Sequence, residues 1–123
     1  MLLYWVSRDP RLTGEQRRVV EAASAEHPLA VSDITLWEVA TLVGLGRIHL
    51  KLPLREWLEA ATAPPLVRRV PISPAIAAEV ANLPETFPRD PADRIITASA
   101  RVLGATLLTQ DRKIVEAGVV ETL

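Results

Sequence analysis

Short apolar runs alternate with segments of helical period, and proline or glycine marks almost every boundary; no other feature of this chain restricts its fold so strongly. Asp9-Pro10 marks the first break. Residues from Gly14 to about Glu26 then read as a helix, with Val19, Val20 and Ala23 turned inward. Leu29 to Ser32 is a short buried strand. A second helix follows Thr35, carries Leu36, Val39, Ala40 and Val43, and stops at Gly44-Leu45-Gly46. Pro53 starts a third helix, Pro64-Pro65 ends it, and Leu66 to Val70 is a strand whose two arginines suit a sheet edge. Pro74 opens a helix to about Leu83. After the turn-rich Pro84–Pro88 stretch, Asp90-Pro91 begins a helix to about Leu103, apolar on most faces and therefore central. Ala105 to Thr109 is the clearest buried strand, Arg112 to Ala117 a short helix, and Val119-Val120 a last strand. Strands separated by helices need crossover connections, so the expected fold is α/β, a three-layer sandwich around a mostly parallel sheet.

The 123 residues suit one domain, and 49% apolar content is enough for a single core. With 14 basic and 15 acidic side chains, there is no global field to draw in a polyanion, so any nucleic-acid binding has to be local. No cysteine is present, which excludes thiolate metal sites and thiol catalysis and fits a reducing compartment. The apolar opening Met1 to Val6 is too short to span a membrane, and a cytoplasmic protein is expected.

In a parallel sheet, strand C-termini and helix N-termini meet on one edge, where ligands of α/β proteins usually bind. That geometry selects Glu38, in the first turn after the 29–32 strand, Asp93, in the first turn of the central helix, and Asp111, just beyond the 105–109 strand. Each has an ordinary explanation. Thr35 and Glu38 form the pattern of a capping box; Asp90 can cap the helix that Pro91 opens, with Asp93 placed well in its dipole; Asp111 can be a turn or cap residue. Their convergence says more, because carboxylates held close repel unless a cation neutralises them. Oxygen ligands suit Mg²⁺ or Mn²⁺. His27 and His49 are isolated, which argues against zinc and against a histidine triad. Arg89, Arg94, Arg112 and Lys113 flank the acids and can hold phosphates or form a solvated rim. Gly44-Leu45-Gly46 follows a helix, not a strand, and reads as a helix stop. Trp5, Trp37 and Trp57 read as core or interface residues.

Three stretches in order, Ser32-Asp33-Ile34-Thr35-Leu36-Trp37-Glu38, Phe87-Pro88-Arg89-Asp90-Pro91-Ala92-Asp93-Arg94-Ile95-Ile96 and Leu107-Leu108-Thr109-Gln110-Asp111, resemble PIN domains of the VapC toxin type over nearly the whole chain. The resemblance implies a metal-dependent ribonuclease of a toxin–antitoxin pair, which hydrolyses RNA phosphodiesters with a metal-activated water. It implies Glu38, Asp93 and Asp111 as catalytic residues and metal ligands with Asp90 in support, Arg89, Arg94 and Arg112 on the RNA, Mg²⁺ or Mn²⁺ as cofactor, and a homodimer neutralised by a protein antitoxin.

The chain departs from the family at its start. Family members open with an apolar strand ending in aspartate, typically in an Asp-Thr-His run, and Met1 stands just after where that run would be. Asp9 is too far along to replace the aspartate. Taken alone, Leu2 to Val6 can be a strand, but the resemblance makes it the first helix. The expectation is therefore a PIN-like domain over residues 1–123 that lacks its first strand, through a start at an internal methionine or a natural truncation. The alternative function is a catalytically impaired module that binds an antitoxin or a homologous partner.

Overall fold

The computed structural model describes the backbone of Leu2–Tyr4 and all of residues 13–123. The described elements run β1 (Leu2–Tyr4), α1 (Gly14–Glu21), β2 (Leu29–Ser32), α2 (Asp33–Gly44), α3 (Leu54–Ala61), β3 (Val67–Val70), α4 (Pro74–Ala81), α5 (Pro91–Leu103), β4 (Thr106–Leu108) and α6 (Arg112–Ala117). The strands form one sheet in the order β3-β2-β1-β4, and every ladder in it is parallel. Each successive pair of strands is joined through at least one helix, as crossover connections require.

One expectation is overturned. Leu2, Leu3 and Tyr4 are extended and not helical: they form one of the two inner strands, with Leu2 opposite Leu29 on one side and Thr106 on the other. The physical reason is the ladder itself. Strands β2 and β4 each present backbone donors and acceptors toward the gap between them, and three apolar residues in extended form satisfy both. The local reading of this segment was the correct one. Asp9 and Trp5 lie outside the described residues.

Three boundaries also differ from expectation. Helix α1 ends at Glu21, not Glu26, because Ser24 and His27 bond each other's backbones (3.2 Å both ways) and the Ser24 hydroxyl also accepts the His27 N–H, an alternative to further helix. Helix α2 begins at Asp33 because Ser32, the last residue of β2, supplies the cap through Oγ. Val119 and Val120 pack on the core, and the last pairing falls two residues later, as a parallel bridge between Leu107 and Thr122. There the Leu107 N–H donates to Glu121 O (2.9 Å) and the Leu123 N–H to Leu107 O (3.0 Å).

The core joins β2, β3 and β4 to α4, α5 and α6 through Ala30, Val70, Ile76, Ile96, Leu107 and Ile114, all nearly or wholly buried. Full burial of a side chain of Leu or Ile size contributes about 1.5–3 kcal/mol. Helix α5 is central as expected: it packs on α4 and α2 and touches β1, β2 and β4. Ala92, Ala98 and Ala100 are buried on it, and such small side chains let neighbouring backbones approach closely. Gly104 closes α5 at φ 60°, a left-handed conformation that glycine adopts without strain. The Gly44-Leu45-Gly46 segment is a helix stop of the Schellman kind. The Gly46 N–H donates to Val43 O (3.0 Å), the Arg47 N–H to Leu42 O (2.9 Å), and Gly46 has φ 70°. No helix among the described residues is long and apolar enough to cross a membrane.

Candidate active site

Residues 84–90 and the first turn of α5 build one wall of a cavity of about 940 Å³, and α6 with the loop before it builds another. On the first wall, the 84–88 turn is closed by the Phe87 N–H, which donates to Pro84 O (2.9 Å). Phe87 is buried and anchors the turn in the core. Arg94, reaching back from α5, donates through Nε to Pro88 O (2.9 Å) and through Nη2 to Phe87 O (3.0 Å), with its guanidinium 5.8 Å from the Phe87 ring centre. Arg94 thus shapes the wall, and it is absent from the residues that line the cavity.

Asp90 caps α5 as expected: its Oδ1 accepts the Asp93 N–H (3.0 Å), and Pro91 occupies the first helical position, where no N–H is needed. Asp93 sits in the first turn, favourable for a negative charge, but dipole placement does not require burial and Asp93 is only 8% exposed. Asp111 caps α6, accepting the Lys113 N–H on Oδ1 (2.9 Å), while its own N–H donates to Thr109 Oγ1 (3.0 Å). Capping engages one oxygen in each of Asp90 and Asp111, and a carboxylate has two.

Glu38 is different. Because Ser32 caps α2, Glu38 lies in the second turn, beyond the N–H groups that need a cap, and the capping box with Thr35 does not form. Thr35 is instead buried, and neither its hydroxyl nor that of Thr97, one turn after Asp93, has a hydrogen-bond partner among the described residues. The half-buried Glu38 lines the cavity.

Glu38, Asp90, Asp93 and Asp111 therefore face one space, from α2, α5 and the loop after β4. Arg89 lines it too. Arg112 is exposed and outside the lining, and Lys113 takes the place expected of it. Several lining residues were not singled out in the sequence, Thr86, Gln110 and Glu116 among them. Glu116 lies three residues after Lys113, a spacing that puts both on one face of α6, and this spacing is the signal that could have found it. Gln110 had no sequence signal. Trp37 is 60% exposed, so it is not core, and Trp57 is half-buried.

Among the described residues the donors are all hard oxygens: five carboxylates against two cations, Arg89 and Lys113. In kind they fit a divalent ion such as Mg²⁺ or Mn²⁺. In geometry they stop short: among the described residues, no three Asp, Glu or His side chains come together closely enough to hold one ion.

Comparison with known proteins agrees with this architecture. A family model described as PIN domain matches residues 1–120. Ribonuclease VapC22 of Mycobacterium tuberculosis is 40% identical over 112 residues, spanning 90% of this chain and 82% of that protein. Among solved structures, FitAcB from Neisseria gonorrhoeae superposes with a TM-score of 0.69 at 20% identity, over 100% of this chain and 96% of that one. VapBC2 from Rickettsia felis, bound to a DNA fragment from its promoter, gives 0.69 at 14% identity, over 100% and 98%. At such identities the two structures speak for the fold alone.

Proposed function

Since the chain belongs to the PIN domain family, we propose that it is a divalent-metal-dependent ribonuclease acting as the toxin of a toxin–antitoxin pair in the cytoplasm. The observation that carries this reading is the convergence of Glu38, Asp93 and Asp111 on one cavity that also holds Arg89 and Lys113. Glu38, Asp93 and Asp111 would hold the ion, Mg²⁺ or Mn²⁺, by closing on it from their present separation, with Asp90 keeping Asp93 in place through the cap. When bound, such an ion acidifies water and offsets charge that builds on a phosphodiester.

The chain's own groups do the rest. Arg89 and Lys113 supply positive charge for the RNA phosphates, and five carboxylates keep the cavity too acidic to retain a polyanion unless a cation is there as well. Phe87 and Arg94 hold the 84–88 wall, so Arg94 serves the site by shaping it and not by touching RNA. The VapC22 relative is called a ribonuclease, which supports that activity here, and the antitoxin partner follows from the toxin reading. Trp37 and Leu45 on α2 and its cap, 60% and 63% exposed, offer apolar surface for that antitoxin or for the second copy of a homodimer.

The test is RNA cleavage by the purified protein with Mg²⁺ or Mn²⁺, against chelator and against Asp93→Asn. Cleavage that needs the metal and disappears in the variant supports the proposal. Protein that binds a partner yet never cleaves RNA with metal favours the impaired module instead. Metal that leaves the melting temperature unmoved counts against a site, since binding at a hundred times Kd should add about 2.7 kcal/mol to stability.

A further inference from the structure

The one buried side chain of α1 is a glutamine, and it is bonded to residues more than ninety positions away. Gln16 is 3% exposed. Its Nε2 donates to Thr109 O (3.1 Å) and to Leu123 O (2.7 Å). Its Oε1 accepts from the Thr13 N–H (3.1 Å) and from Gln110 Nε2 (3.2 Å). Both amide hydrogens and two acceptor bonds are thus in use, the full ordinary capacity of the group.

Two of those bonds, to Thr109 and from Gln110, converge on the strand end that carries Asp111. Thr109, held by its carbonyl, accepts the Asp111 N–H on Oγ1 (3.0 Å), and Gln110, held by its side chain, lines the cavity between them. A capping role for α1 alone would need only the Thr13 bond, which closes a capping box. The bonds to Thr109 and Gln110 add nothing to that cap. We infer that Gln16 is a positioning residue for Asp111 and Gln110, fixing the segment 109–111 against α1 so that the carboxylate meets the cavity in one orientation. The catalytic part of this inference rests on the ribonuclease reading; the positional part does not.

A buried amide with four bonds restricts its partners more than an apolar side chain of equal size, because a lost bond leaves a polar group unsatisfied. Gln16→Met keeps the volume and removes every bond. Gln16→Glu keeps the acceptor oxygen and the length but cannot donate to the two carbonyls when ionised. Ser73→Ala, which removes the Oγ that caps α4 by accepting the Ile76 N–H (3.2 Å), serves as a comparably destabilised control remote from this network.

Amide hydrogen exchange is the first readout. In Gln16→Met, or in Gln16→Glu if the first does not fold, the Asp111 and Lys113 amides should exchange at least tenfold faster than in Ser73→Ala at matched stability. RNA cleavage is the second: kcat should fall about tenfold or more with KM little changed, whereas Ser73→Ala should keep both. Equal exchange in a Gln16 variant and the control overturns the inference. So does a chain that folds with neither replacement, which would make Gln16 a structural post only. If the wild-type protein cleaves no RNA, the ribonuclease reading fails on its own and the exchange comparison still decides the position of Asp111.

Discussion

Two pairs of acids line the same cavity by different means. Asp90 and Asp111 sit at N-cap positions and each accepts a backbone N–H, so part of their presence is structural. Asp93 and Glu38 sit inside helices, one in the first turn and buried, the other in the second turn where no cap is needed. The difference separates capping from charge. Asparagine caps a helix about as well as aspartate but carries no charge, so one substitution type asks each acid which job it performs.

The largest effect is expected at the pair without a cap. Asp93→Asn and Glu38→Gln should each lower metal-dependent RNA cleavage on the order of a hundredfold or more, with calorimetry on the same variants reading how far each carboxylate also holds the fold. Comparable loss of stability would mean that these acids hold the fold and not an ion.

Asp111 should divide its effects. Asp111→Asn should lose cleavage to a similar extent while denaturant unfolding stays within about 0.5 kcal/mol of wild type, and Asp111→Ala should lose cleavage and about 1 kcal/mol as well. Should the asparagine variant cleave normally, Asp111 is a cap and no more. Asp90 is expected to be the mildest of the acids. Asp90→Ala should cost about 1 kcal/mol in the same measurement, and Asp90→Asn should restore it with cleavage within roughly tenfold of wild type.

The smallest effect concerns the hydroxyl of Thr97, buried one turn after Asp93 with no hydrogen-bond partner among the described residues. Thr97→Val should raise stability by about 1 kcal/mol by calorimetry, because an unsatisfied polar group no longer has to be desolvated. A loss of stability there would reveal a use for the hydroxyl near Asp93.

Much of this was legible from residue order. Asp90-Pro91, Gly104 and the buried run 105–109 placed α5 and β4 where they stand, because cap, proline and glycine act locally. Local competition limited the rest. Ser32 and Thr35 are both good caps, and the ladder that holds β2 to its last residue made Ser32 the one that starts α2, which moved Glu38 out of the first turn. Leu2 to Tyr4 is compatible with helix or strand, and only the neighbouring strands decide it. Gln16 reads as one more polar residue of an exposed helix, since its partners are supplied from the far end of the chain.

Among the described residues the sheet is closed on one side only. Beyond β4, residues 121–123 cover the ladder, whereas β3 pairs with β2 and presents its other side with Arg68 and Arg69 both exposed in the middle of the strand. Two positive charges on so short an edge repel the same edge of another copy, so the arginines act as gatekeepers against strand-to-strand polymerisation. Asp33 tempers one of them through a 3.0 Å ion pair with Arg69, which leaves Arg68 as the stronger guard. Solubility of this chain at high concentration thus depends on a residue that lies outside the lining of the acidic cavity.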